Sequence, residues 1–239
     1  MNDAPSTPPP TTPGESAIRL AATVVILRPG AAGREVYMVR RSAKSPFMPS
    51  TLVFPGGRLD PEDGPPEDDA SWEHAARREV HEEVGLRLDG RAMRWFDTWL
   101  TPSGESRRRY LARFYVVELG DGEGHEAEAD GVETHEGRWA TAQEHLQAWE
   151  AEEVDLPPPT VCVLLGLRTA ESDGLSTLLD IDPREPILPK IGASAPPVTI
   201  LLPHHPDYAD TPGDHAAAPS RAHSLPTHFE RDGRRWRPG

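Results

Sequence analysis

The chain has 239 residues, enough for one domain of ordinary size with additions. Its 39 Asp and Glu against 25 Lys and Arg give a formal charge of −14, which repels a phosphate backbone and excludes broad non-specific binding to a nucleic-acid duplex. The single cysteine, Cys162, excludes an intramolecular disulfide and fits a reducing compartment.

Residues 1–16 carry five prolines among small polar residues, a composition that predicts a disordered arm. The arm has neither a basic n-region nor an apolar h-region, so it does not read as a secretory signal. AIRLAATVVILR and EVYMVRRS are rich in β-branched and apolar residues and predict two strands joined by a loop at Pro29, Gly30 and Gly33. TLVFPGGRLD predicts a short strand broken at Pro55-Gly56-Gly57, and PEDGPPEDD an acidic loop. SWEHAARREVHEEVG predicts a helix, capped by Ser71 or an Asp just before it and ended by Gly85. RAMRWFDTWLTP and RRRYLARFYVVEL predict a long hairpin around Pro102-Ser103-Gly104, followed by a polar loop, a short strand EGRWA and the helix TAQEHLQAWEAEE. PPTVCVLLGLRTA predicts a further helix that opens on prolines. Intermixed strands and helices with antiparallel pairing give the class α/β (α+β).

Residues 17–170 therefore read as the main domain. The remainder, 171–239, holds 11 prolines and five of the ten histidines and predicts an extension that is partly disordered. ILPKIG and VTILLP are apolar enough to add edge strands, while the stretch from about 211 predicts little order. His204 and His205 are adjacent, so on a strand they point to opposite faces and do not form a metal pair. The longest apolar runs, AATVVIL and VCVLLGL, are far too short to span a bilayer, so the expectation is a soluble, cytoplasmic protein without membrane contact.

The segment REVHEEVGL, 78–86, concentrates the chemistry. On a helix Glu79 and Glu83 lie about 40° apart and Glu82 about 60° to the other side, so the three share an arc of about 100°. Ala76, Val80 and Val84 form the adjoining apolar stripe, which places the carboxylates at the edge of the buried face. Like charges at this spacing are mutually destabilising. A hard divalent cation removes that cost, and Mg²⁺ takes only part of its shell from protein carboxylates.

REVHEEVGL resembles the second half of the Nudix box at every position, and the preceding FPGGRLD resembles the loop and strand that lead into it. The spacer from Gly57 to Arg78 is 21 residues, longer than in the family's box. Counting back from Arg78 puts the box's upstream glutamate position on Ala70 and its glycine on Gly64. Counting forward from Gly57 puts the acid on Asp63, with an insertion in PEDGPPEDD. The resemblance implies the Nudix fold, a mixed sheet sandwiched between helices. It implies that Glu79 and Glu83 ligate Mg²⁺ or Mn²⁺ with Glu82 supporting the metal cluster or orienting water, that the carbonyl of Gly57 or of its neighbour Gly56 completes a metal site, and that Arg78 holds a glutamate in place. The reaction implied is water attack on phosphorus in a nucleoside diphosphate linked to a moiety X. The base often lies outside the box in this family, and DGVETHEGRW offers Glu133 and Glu136, with His135 between them.

FPGGRLDPED, LTPSGESRRRYLARFY and WATAQEHLQAWEAEEVDLPPPT resemble the acyl-CoA diphosphatase-like branch, which implies cleavage of CoA or acyl-CoA to phosphopantetheine and adenosine 3′,5′-bisphosphate. Arg107, Arg108 and Arg109 form the dense basic cluster, and Arg107 and Arg109 are candidates to meet a substrate phosphate. Phe54, Phe114 and Tyr115 are candidates to stack on a base, although strand aromatics more often fill a core. NDP-sugars, dinucleotides and (d)NTPs are alternative substrates, and a non-catalytic nucleotide sensor is the alternative outside enzymology. The expected partner is a small nucleotide, bound by a monomer or homodimer.

Overall fold

The computed structural model describes residues 18–44, 48–104, 109–131, 134–173, 175, 179, 182–192, 197–218, 225–233 and 235–239. The predicted N-terminal arm lies outside them.

Two long strands come first, β1 (Arg19–Gly30) and β2 (Gly33–Arg41), joined by a tight turn and paired antiparallel only over Leu27–Gly30 and Gly33–Val36. Beyond that they diverge. Into the fork go β3 (Leu52–Val53), which pairs with β2, and β4 (Gly56–Arg58), which pairs with β1 over Ala21–Thr23. The Phe54–Pro55 link is held in the fork by Val24 N donating to Pro55 O at 2.8 Å. Next comes α1 (Asp69–Val84), then the hairpin β5 (Arg94–Leu100) and β6 (Tyr110–Glu118). β6 lies parallel to the free edge of β1. β7 (Thr134–Thr141) closes the outer edge of β2, and α2 (Ala142–Glu150) and α3 (Pro158–Asp173) follow. This is the mixed sheet between helices that the sequence predicts.

The alternation along β1 separates two cores. Ala22, Val24 and Ile26 pack with Trp72, Ala75, Ala76, Val80 and Val84 of α1. Val25 and Leu27 face the other way, toward Leu146 and Trp149 of α2 and Val161, Leu164 and Leu167 of α3. Helix boundaries follow local chemistry. Asp68, rather than Ser71, caps α1 by accepting from Ala70 N at 3.0 Å, and Gly85 stops it in the left-handed conformation at φ 70°. Thr141 and Glu144 form a reciprocal capping box on α2.

The extension builds a second, four-stranded sheet from β8 (Lys190–Ile191), β9 (Val198–Leu201), β10 (His228–Asp232) and β11 (Arg235–Pro238). β8 and β9 fall on the two apolar patches. β10 and β11 correct the expectation of little order from residue 211. Their polar sequence hides two aromatic anchors, Phe229 and Trp236, that join Ile200 and Leu202 in the same core as Val25 and α3. Among the described residues no helix is long and apolar enough to cross a membrane.

Candidate active site

The box carboxylates are set by backbone contacts before any side chain reaches solvent. Gly56 adopts φ 148°, and a Cβ there would strike the backbone of Ala22 and Thr23, so only glycine lets β4 lie against β1. Gly57 faces the opposite side of β4, and a Cβ there would occupy the space taken by the Glu79 carboxylate. The Pro-Gly-Gly break therefore lets α1 come up close beneath β4. Glu83, only 6% exposed, accepts from Gly56 N at 3.0 Å.

Arg78 organises the rest. Its guanidinium donates to both oxygens of Asp63, from Nε at 3.0 Å and Nη2 at 2.8 Å. Nη1 bridges Glu79 Oε1 and Glu82 Oε2, both at 3.0 Å, and Nη2 also donates to Arg58 O at 3.0 Å. Asp63 ends a 3₁₀ turn, Pro61–Asp63, and its carboxylate also accepts from Asp60 N at 2.9 Å. These bonds, led by that from Arg78, hold Asp63 below its usual pKa, and the hydrogen bond to Asp63 pushes Arg78 above its own. The count forward from Gly57 thus lands on the acid that pairs with Arg78. The extra residues of the spacer fold as turns between Asp63 and α1, pinned by Trp72 Nε1 donating to Pro66 O at 2.9 Å.

A further acid comes from the loop before β7. Glu128 N and Asp130 N donate to Val84 O and Glu83 O at 3.1 and 2.8 Å, satisfying carbonyls at the end of α1. This carries Asp130 to the carboxylates, where Thr134 N and Oγ1 donate to its Oδ1 at 2.9 and 3.0 Å. The acidic loop GDGEGHEAEADG gave no sign of it, because nothing local distinguishes Asp130 from its neighbours.

Glu79, Glu82, Glu83 and Asp130 line one end of an open cleft of about 1040 Å³. Arg19, Arg41, Lys44 and Arg58 also line it and supply cations. Its other end is apolar, with Trp99, Phe114, Pro158, Pro189 and Ile200.

Several expected site residues fall elsewhere. Glu136 is a correction: it sits opposite Arg40 across the β2–β7 pair and forms an exposed ion pair with it at 3.1 Å, away from the cleft. Arg109 is another. It is 8% exposed, donates to Thr101 O and Asp214 Oδ2 at 3.0 and 3.1 Å, and ties the extension to the β5–β6 hairpin. Glu133, Arg107 and Arg108 lie outside the described residues. Phe54 lines the cleft with Phe114, whereas Tyr115 packs in the core beneath α1. His204 donates from Nε2 to Leu225 O at 3.3 Å, and His205 packs edge-on against His228.

The donors fit a hard divalent cation, since carboxylates on one arc of α1 lie against the backbone of β4. Among the described residues, no three His, Cys, Asp or Glu side chains are already gathered around one point. Arg78 draws Glu79 and Glu82 to itself while Gly56 N holds Glu83, so this arrangement suits an ion that completes its shell with water and substrate oxygens.

A family model described as NUDIX domain matches residues 17–158. The chain is similar to a Caenorhabditis elegans protein called putative nudix hydrolase 7, at 29% identity over 172 residues and 56% of each chain, so it spans about half the length of this curated relative. Among solved structures it is similar to a NUDIX hydrolase from Alicyclobacillus acidocaldarius, with a TM-score of 0.57 and 25% identity over 66% of this chain and 96% of that one.

Proposed function

The chain belongs to the Nudix family, and from that premise we propose that it is a metal-dependent hydrolase of a nucleoside diphosphate linked to a second moiety X. The observation that carries the reading is the Arg78-centred carboxylate set at one end of the cleft, with cations along the same walls. Members of the family generally use divalent cations. Glu79, Glu82 and Glu83, with the Gly57 carbonyl, would hold Mg²⁺ or Mn²⁺, which when bound neutralises charge on phosphate oxygens and activates water. Arg78 keeps two of these carboxylates aimed at the cleft, and Asp63 keeps Arg78 in place. Asp130 takes the place sought in Glu133 and Glu136, as the acid outside the box that faces the attacking water. Arg41 and Lys44 line the same cleft and offer positive charge to the diphosphate.

CoA and acyl-CoA are the substrates we assign, cleaved to phosphopantetheine and adenosine 3′,5′-bisphosphate. An apolar end beside a charged end suits a thioester or pantetheine arm better than a second sugar. NDP-sugars, dinucleotides and nucleoside triphosphates are the in-class alternatives. A pure sensor has no use for a full set of box carboxylates, and this chain keeps Glu79, Glu82 and Glu83.

The test is hydrolysis of a diphosphate panel with Mg²⁺ or Mn²⁺, comparing the wild type with Glu83→Gln and Asp130→Asn. Glu83→Gln should cost on the order of 10²–10³-fold in turnover, as loss of one positioned electrostatic group does. Release of adenosine 3′,5′-bisphosphate from CoA esters supports the substrate. Cleavage of other members alone discards CoA, and nucleotide binding without cleavage of any member moves the chain to the sensor class.

A further inference from the structure

The floor of the cleft is a single row of side chains crossing four strands. Arg58 of β4 is opposite Ala21 of β1, Ala21 is opposite Ala112 of β6, and Ala112 is opposite Trp99 of β5. Residues paired in this way project to the same face. At about 4.8 Å per strand the row carries the cleft roughly 14 Å from β4 to β5. The two alanines in the middle keep it open, and a bulky side chain at either would fill it.

The far end of the row is built by the extension. Ile187 bridges to Trp99, donating from N to Thr98 O at 2.8 Å and accepting from Leu100 N at 3.0 Å. Pro189 and Ile200 thereby join Trp99, Phe114 and Pro158 on the cleft wall. The start of α3, which carries Pro158, is fixed by the same extension. Arg235 of β11 donates to Trp149 O and Val154 O at 2.9 and 3.0 Å and pairs with Asp155 at 2.8 Å. That clamp sets the loop leading into Pro157–Thr160 at the start of α3, which also lines the cleft. Arg19, Tyr110 and Thr101 supply a polar rim next to this end.

We propose that this end is a subsite for an extended, uncharged alkyl or acyl chain on X, and that Ala112 sets how long a chain it admits. A sugar or second nucleoside there would leave hydroxyls facing Trp99, Pro189 and Ile200 without partners, which is costly. An unbranched chain makes no such demand and removes apolar wall from water. The proposal rests on the diphosphate reading and names the substrate class of the same cleft.

The test uses the full chain and adenosine diphosphates esterified on the terminal phosphate with methyl, butyl and octyl groups. Binding is measured by calorimetry with metal chelated, and hydrolysis separately with Mg²⁺. Affinity should rise about threefold or more per added methylene until the subsite is full. Ala112→Leu should lower the octyl-to-methyl affinity ratio about tenfold, the worth of one or two methylenes. If that variant does not fold, Ala112→Val, at ease in a strand, gives the same readout with a smaller drop. An affinity independent of chain length, or a ratio unchanged in the variant, overturns the proposal. Chain-length-dependent binding without hydrolysis of any ester supports the subsite and overturns the hydrolase reading. Hydrolysis without chain dependence does the reverse.

Discussion

The two ends of the cleft are built by opposite means. The carboxylate end comes mainly from one short segment, β4 through α1, with Asp130 added from the loop before β7, and is ordered by polar contacts, most of which converge on Arg78. The apolar end draws on β5, β6, α3 and the extension, and is ordered by burial of residues far apart in the chain. A local polar network fixes the angles of a few groups. A tertiary apolar wall fixes a volume. Catalysis of one bond needs the first, and choice among substrates needs the second.

The largest expected effect tests whether the apolar end is integral to the domain. Phe229 is 0% exposed and shares a core with Val25, Trp149 and Leu164. Phe229→Ala should destabilise the whole chain by about 3–5 kcal/mol, the usual cost of deleting a buried aromatic. Urea unfolding read by fluorescence and by circular dichroism should shift as one transition. Two separated transitions would make the extension an appendage and break the comparison.

The carboxylate end has its own measure. Asp63→Asn keeps the shape but removes the charge that Arg78 grips. The expected cost is about 1.5–3 kcal/mol, that of a hydrogen bond to a charged group. The dependence on pH gives the sign. Asp63 is held below the unfolded value of 3.8, so its contribution is full above that value and disappears as the pH falls through the lower folded one. Wild-type and Asp63→Asn stabilities measured by denaturant should therefore converge below about pH 3.8. A constant gap would mean that Asp63 acts through packing and not through charge.

His145 sharpens the contrast from the side of α2. It is 0% exposed, between Val36 O at 3.2 Å and Arg138 Nη2 at 3.3 Å, and burial pulls its pKa from 6.5 down to about 4. Arg138 opposes its protonation and Glu144 favours it. The unfolded chain takes up a proton near pH 6.5 and the folded chain does not until about pH 4, so acidification favours unfolding across that window. Lowering the pH from about 6.5 to 5 should cost roughly 2 kcal/mol, and His145→Gln should flatten most of that slope. His204 is shifted the same way by burial and leaves a smaller residual slope.

The same division explains what the sequence could reveal. FPGG, the acid counted forward to Asp63, and the box helix are local, and each position follows from spacing along one or two elements. β8 and β9 are visible because their apolar residues are contiguous. β10 and β11 are not, since each carries one core aromatic in a polar run and its worth depends on a pocket made by α3 and β9. The floor row of Ala21 and Ala112 is equally hidden, because two alanines on separate strands acquire meaning only through register. Asp130 reaches the cleft because its backbone caps α1, a contact that no pattern in its own loop announces. The basic run at 107–109 misled for the converse reason: Arg109 is conspicuous in sequence yet is spent on Thr101 and Asp214.

The smallest expected effect concerns Glu136, whose neighbourhood in sequence looks as catalytic as that of Asp130. Its side chain is 58% exposed and its partner is Arg40 on the neighbouring strand. Such a surface pair contributes about 0–1 kcal/mol, so Glu136→Gln should alter stability by less than about 1 kcal/mol and turnover by less than about twofold. Asp130→Asn, assayed beside it on the same diphosphate, should fall far more, because its loop brings it to Glu83 at the cleft. A large loss in Glu136→Gln with Asp130→Asn intact would return the base to β7. It would also mean that the loop before β7 takes another path when substrate is bound.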